Sequence, residues 1–77
     1  KLTQNEYKLV ALLALYAGKV LTYDFLMKEL WGPGAKSDNQ ILRVNMANIR
    51  RKLEQNPAQP VYIFTEVGVG YRMIEGD

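Results

Sequence analysis

Seventy-seven residues make one small domain, near the lower size at which a core holds without staples. With no Cys and no His, a disulfide framework, the usual zinc and haem ligand sets, Cys nucleophiles and His general bases are all excluded. The net charge of +2 is unevenly placed: residues 36–52 hold Lys36, Arg43, Arg50, Arg51 and Lys52 against Asp38 alone, or +4, while the other 60 residues sum to −2. One basic segment on a nearly neutral domain points to a local anionic partner. Hydrophobic residues at 48% suit a globular chain. The longest apolar run, nine residues from Leu9 to Ala17, is far short of the roughly 20 that span a bilayer. No membrane partner is therefore expected. Without cysteine or a visible signal peptide the cytoplasm is the default location. The start at Lys1 reads as a domain cut from a longer protein.

Thr3-Gln4-Asn5-Glu6 has the form of a capping box, which predicts a helix from about Gln4 to Ala17, stopped at Gly18. Its second half is apolar nearly all round, so burial on more than one side is expected. Lys19-Val20-Leu21-Thr22 is a candidate bridging strand. Thr22 can cap a second helix, with Asp24 in the first turn. Phe25, Leu26, Met27, Leu30 and Trp31 supply that helix's apolar face, and Gly32-Pro33-Gly34 ends it. Ser37-Asp38-Asn39-Gln40 offers another capping box before a third helix over about 39–55. Asn56-Pro57-Ala58-Gln59-Pro60 breaks the chain. The β-rich segments 61–65 and 71–74, joined by Val67-Gly68-Val69-Gly70, predict a hairpin in which the glycines serve a turn requiring positive φ.

On the third helix, Leu42, Met46, Ile49 and Leu53 fall within about 60° of one another and form the expected core stripe. The opposite side carries Gln40, Arg43, Val44, Ala47, Asn48 and Arg51. Arg50 and Lys52 lie on the flanks, and Asn45 lies nearer the core edge. That outer face has no acid to support i,i+4 pairs. It combines what a DNA major groove requires: Arg for guanine, Asn or Gln for adenine, an aliphatic group for a thymine methyl and a small residue for close approach. Flanking cations suit phosphates. A plain solvated basic face is the competing reading. The order helix, strand, helix, loop, basic helix, hairpin favours an α+β winged helix-turn-helix: three helices with a C-terminal β-hairpin wing, residues 1–77 as one domain.

The chain then resembles the OmpR/PhoB-type output domain of two-component response regulators. The resemblance rests on Leu2-Thr3 with Glu6, Gly18-Lys19-Val20-Leu21-Thr22, Leu26 with Leu30-Trp31-Gly32, Arg50 with Lys52-Leu53-Glu54, and Gly68-x-Gly70-Tyr71-Arg72. It implies a transcription factor that binds tandem half-sites of double-stranded DNA as a dimer in the full-length protein. The third helix enters the major groove and the hairpin touches the adjacent minor groove or the backbone. It implies base-reading positions at Arg43, Val44, Ala47 and Asn48, with Gln40 one turn earlier. Phosphate positions fall on Trp31, Asn45, Arg50, Arg51, Thr65 and Tyr71, to which the flanking Lys52 is added from its place on the helix. The loop 32–38, with Gly34, Ala35 and Lys36, maps to the family's contact with RNA polymerase. A receiver domain, its sensor kinase and an N-terminal four-stranded sheet also belong to the family. Neither the receiver nor the sheet lies in these residues, so an apolar patch is expected around Leu9–Ala17. Two departures stand out. Several relatives place arginines where this chain has Ala47 and Asn48, and the wing position often held by a minor-groove arginine is Val67 here.

Other chemistry fits poorly. Gly32-Pro33-Gly34-Ala35-Lys36-Ser37 lacks the glycine before Lys, the earlier glycine and the preceding strand of a phosphate-binding loop. Trp31 and Tyr71 are expected as core anchors with a wet polar edge. Asp24, Glu29 and Glu54 are scattered without a paired-carboxylate arrangement, and solubility and capping suffice for them. No catalytic constellation, metal site or cofactor is expected. The remaining alternative to DNA is a winged-helix interaction module whose basic helix meets an acidic protein.

Overall fold

The computed structural model describes residues 1–35 and 39–76. Its elements are α1 (Gln4–Leu15), β1 (Val20–Thr22), α2 (Tyr23–Trp31), α3 (Gln40–Leu53), β2 (Ile63–Glu66) and β3 (Gly70–Met73). The three strands form one antiparallel sheet in the order β1-β3-β2, so the hairpin pairs with the short first strand, and β3 also packs on α1. This is a winged helix.

Local chemistry sets most boundaries. The Thr3 hydroxyl accepts from the Glu6 amide at 3.2 Å and the Glu6 carboxylate accepts from the Thr3 amide at 2.9 Å, a complete capping box. The Thr22 hydroxyl accepts from the Phe25 amide at 3.1 Å and starts α2. Asp24 pairs with Lys28 one turn on, at 3.1 Å. Gly32, at φ +97°, ends α2. α1 stops two residues before the expected end. The Ala17 amide turns back to the Ala14 carbonyl, and Gly18, at φ +90°, instead donates to the Met73 carbonyl on β3. α3 begins at Gln40 with no side-chain cap from Asn39; Ser37 and Asp38 of the expected capping box lie outside the described residues.

The core gathers Leu9 and Leu13 from α1, Leu26, Met27 and Leu30 from α2, Leu42, Met46 and Ile49 from α3, and Leu21, Ile63 and Tyr71 from the sheet. Two packing expectations are corrected. Leu53 does not complete the core stripe: it is 40% exposed at the last position of α3, where it lines a shallow groove with Tyr62, Met73 and Ile74. α1 is buried on one side only. Glu6, Leu9 and Leu13 face inward, whereas Tyr7, Ala11 and Leu15 (72% exposed) stand open beside Leu12 along a shallow apolar groove. α1 packs on α2, α3 and β3, and Glu29 and Leu30 of α2 form the other wall of that groove.

The two hairpin glycines have different causes. Gly68, at φ +77°, serves the turn closed by the Val69 amide on the Glu66 carbonyl. Gly70 does not have positive φ: a Cβ there would lie 1.8 Å from the Leu21 carbonyl oxygen, so it is glycine because β1 passes too close for a side chain.

Candidate nucleic-acid interface

α3 is held by its apolar stripe against α1 and α2, which leaves the opposite face outward. Gln40, Arg43, Val44, Ala47 and Arg51 are exposed, and Asn48 is half-buried among them. The Arg43 side chain has no hydrogen bond or ion pair among the described residues. Arg51 donates to the Asn48 side-chain oxygen, so the two present a joined polar surface. No acid occurs within α3.

The wing stands beside this face. Between them runs a groove of about 590 Å³, with Arg43, Ala47 and Arg50 on the helix side and Thr65, Val67, Gly68 and Tyr71 on the hairpin side. Tyr23 and Asn39, which sequence reasoning missed as lining residues, also line it. Their only sequence signal was their position flanking a helix start. The Tyr23 and Tyr71 rings meet edge to face, centroids 5.4 Å apart. Burial, with Tyr23 alongside, pushes the Tyr71 hydroxyl above the ordinary tyrosine range. It therefore stays protonated at neutral pH and can donate to an anion.

The expected phosphate positions divide. Arg51 is exposed on the outer face, and Thr65 and Tyr71 line the groove. Arg50 also lines it, but its Nη2 donates to the Ile63 carbonyl at 3.0 Å and to the Thr65 hydroxyl at 2.8 Å. Lys52 is on the far flank, with its Nζ 2.7 Å from the Glu6 carboxylate. That bond, then the Thr3 amide, holds the Glu6 carboxyl below the usual range although the residue is 2% exposed. Asn45 donates to the Ile41 carbonyl of its own helix at 2.8 Å. Trp31 is half-buried against the core at the end of α2. In the loop, Gly34 is exposed, Ala35 packs partly on the core, and Lys36 lies outside the described residues.

Glu54 is the residue that sequence reasoning misjudged. Instead of serving solubility it is 5% exposed, and its carboxylate accepts from the amides of Val61, Tyr62 and Ile63 at 2.8–3.3 Å. Burial alone would raise its pKa, but the three amides outweigh it and lower the value. β2 starts at Ile63 rather than 61, and the amides of residues 61–63 turn to this carboxylate where the chain enters the strand. No local pattern announces a bond across seven to nine residues of breaker sequence.

Fold and surface together define a winged-helix domain of transcriptional regulators. Residues 1–73 match the family "Transcriptional regulatory protein, C terminal", and the chain belongs to it. This family is not an enzyme class. Within it, Leu42-Arg43 with Met46, Pro57-Ala58-x-Pro60 and Thr65-Glu66-Val67-Gly68 point to a likeness with KdpE. The chain is 47% identical to the KDP operon transcriptional regulatory protein KdpE of Escherichia coli over 73 residues, 95% of this chain and 32% of that protein. It thus spans about a third of the length of the curated relatives it matches. The Thermotoga maritima response regulator DrrB, an OmpR/PhoB homologue, superposes with a TM-score of 0.87 at 31% identity, covering 97% of this chain and 34% of that one. The Klebsiella pneumoniae RstA DNA-binding domain, solved in complex with the RstA box, gives 0.86 at 27% identity, covering 96% and 73%. Among the described residues, no helix is long and apolar enough to cross a membrane.

Proposed function

We propose that this domain binds duplex DNA sequence-specifically and regulates transcription as the output part of a two-component response regulator. The observation that carries the reading is the acid-free outer face of α3, turned outward beside the groove that the wing completes. Arg43 and Asn48 are the hydrogen-bonding base readers, Val44 and Ala47 the apolar and close-approach positions, and Gln40 the contact one turn earlier. Arg51, Thr65 and Tyr71 serve phosphates, with Trp31 and Asn45 at the margin. The RstA domain's complex with its DNA box supports the same mode here. In the full-length protein a receiver domain answering a sensor kinase pairs two such domains on tandem half-sites in the cytoplasm. Gly34, Ala35 and Lys36 form the contact with RNA polymerase.

Selection of bound sites from random duplex DNA tests the reading, followed by a salt titration on the winning sequence. Each phosphate neutralised by a Lys or Arg adds about −0.9 to the log–log slope, so binding that weakens with salt, and whose slope shrinks as such a cation is removed, is expected. Failure to enrich any sequence, together with salt-sensitive binding to an acidic protein, would replace DNA with a protein partner. Substitutions at Gly34–Lys36 are expected to spare DNA binding and lower promoter output. Unchanged output removes the polymerase contact.

A further inference from the structure

Arg50 and Glu54 stand one helical turn apart at the end of α3, and both reach the same strand. Arg50 donates from one nitrogen to the Ile63 carbonyl and the Thr65 hydroxyl, and its guanidinium lies 5.6 Å from the centroid of the Tyr71 ring on β3. Its Nε is buried without a partner. Both bonds come from the single Nη2, the Thr65 bond at the exposed edge of the groove, so one nitrogen ties the reader helix to the wing while the Nε stays enclosed. Glu54 takes the amides of residues 61–63. A cation therefore holds the strand by an acceptor and a hydroxyl, and an anion holds the segment leading into it by its donors. Elsewhere α3 packs on α1 and α2, while β3 packs on β1, β2 and α1.

We infer that Arg50, braced by Glu54, is a positioning residue. It sets the attitude of the wing against the reader helix, so that both meet one duplex in register, and the DNA phosphates are not its target. The inference rests on the DNA-binding reading for its consequence, but the clamp itself is a property of the free domain. It also explains the neighbour's different fate: Arg51, one residue on, points 100° away and stays exposed on the outer face.

The test compares Arg50→Met, Arg50→Lys and Glu54→Gln in the 77-residue chain, each checked by thermal melting, on a duplex selected by the parent. For Arg50→Met the expected result is about tenfold weaker binding with an unchanged salt slope. At saturating protein, hydroxyl-radical protection beside the wing fades while guanine N7 protection under α3 persists. Arg50→Lys keeps the charge but not the reach of the guanidinium past Tyr71 to both acceptors, so it does not restore wing protection. Glu54→Gln loses the same protection. In the free protein, amide exchange at Ile63 to Thr65 quickens in the Met variant. A phosphate contact gives the opposite results: the slope shrinks by about 0.9 for Met, Lys restores binding, and exchange in β2 is unchanged. Those results overturn the inference. If the parent selects no duplex, the DNA reading fails, and the exchange measurement still decides the clamp; so does exchange for any variant that melts early.

Discussion

The outer face of α3 and its two flanks carry the same residue types and do different work. Arg50, Arg51 and Lys52 are consecutive, yet each goes to a different neighbour. Arg50 grips the wing, Arg51 joins Asn48 on the outer face, and Lys52 neutralises the buried Glu6 that caps α1. The 100° step of a helix distributes them, and what stands at each azimuth decides their role. A count of cations in a basic helix thus overstates the charge offered to DNA: part of the positive charge holds the domain together.

The comparison breaks most sharply at Glu54. Glu54→Ala leaves three amides without an acceptor and is expected to cost about 3 kcal/mol of folding stability, read by denaturant titration. A loss under half a kcal/mol would show that water replaces the carboxylate. On the outer face, Arg43→Ala should weaken binding to the selected site by about 2 kcal/mol and relax preference at one base pair, with the melting temperature unchanged. Equal loss on random duplex would make Arg43 a phosphate contact instead.

Acid should act on the flanks first. Glu6 and Glu54 both have folded-state pKa values below their usual 4.5, Glu6 chiefly through Lys52 and Glu54 through its amides against burial. A depressed carboxyl contributes stability that is present above the unfolded value and lost as pH falls through the folded one. The melting temperature should therefore hold from neutral pH down to about 4.5 and fall below it, and Glu54→Gln should flatten that fall. An equally steep fall in the Gln variant would place the acid sensitivity elsewhere. The smallest effect sharpens the division: Arg51→Ala is expected to reduce the salt slope by about 0.9 with no change in melting, whereas Lys52→Met lowers melting and leaves the slope alone. Identical slopes for the two variants would erase the distinction between face and flank.

Much of the molecule follows from local chemistry. Thr3 with Glu6 and Thr22 made two helix starts readable, because a hydroxyl three residues before an amide satisfies it without help from the rest of the fold. The period of Leu42, Met46 and Ile49 identified the buried side of α3 and therefore its outer face, since one helical azimuth fixes the others. Gln40, Arg43, Val44, Ala47 and Asn48 follow from that rotation alone. Other features required the chain to fold back on itself. Gly70 is glycine because of β1, about 50 residues earlier, and Leu53 faces a shallow groove beside Tyr62 and Met73 instead of the core. Lys52 and Glu54 acquire their roles from Glu6 and from the strand after the breaker. Helical periodicity assigns a side chain a direction; only tertiary packing supplies the partner that stands there, and for a charged group the partner decides the function.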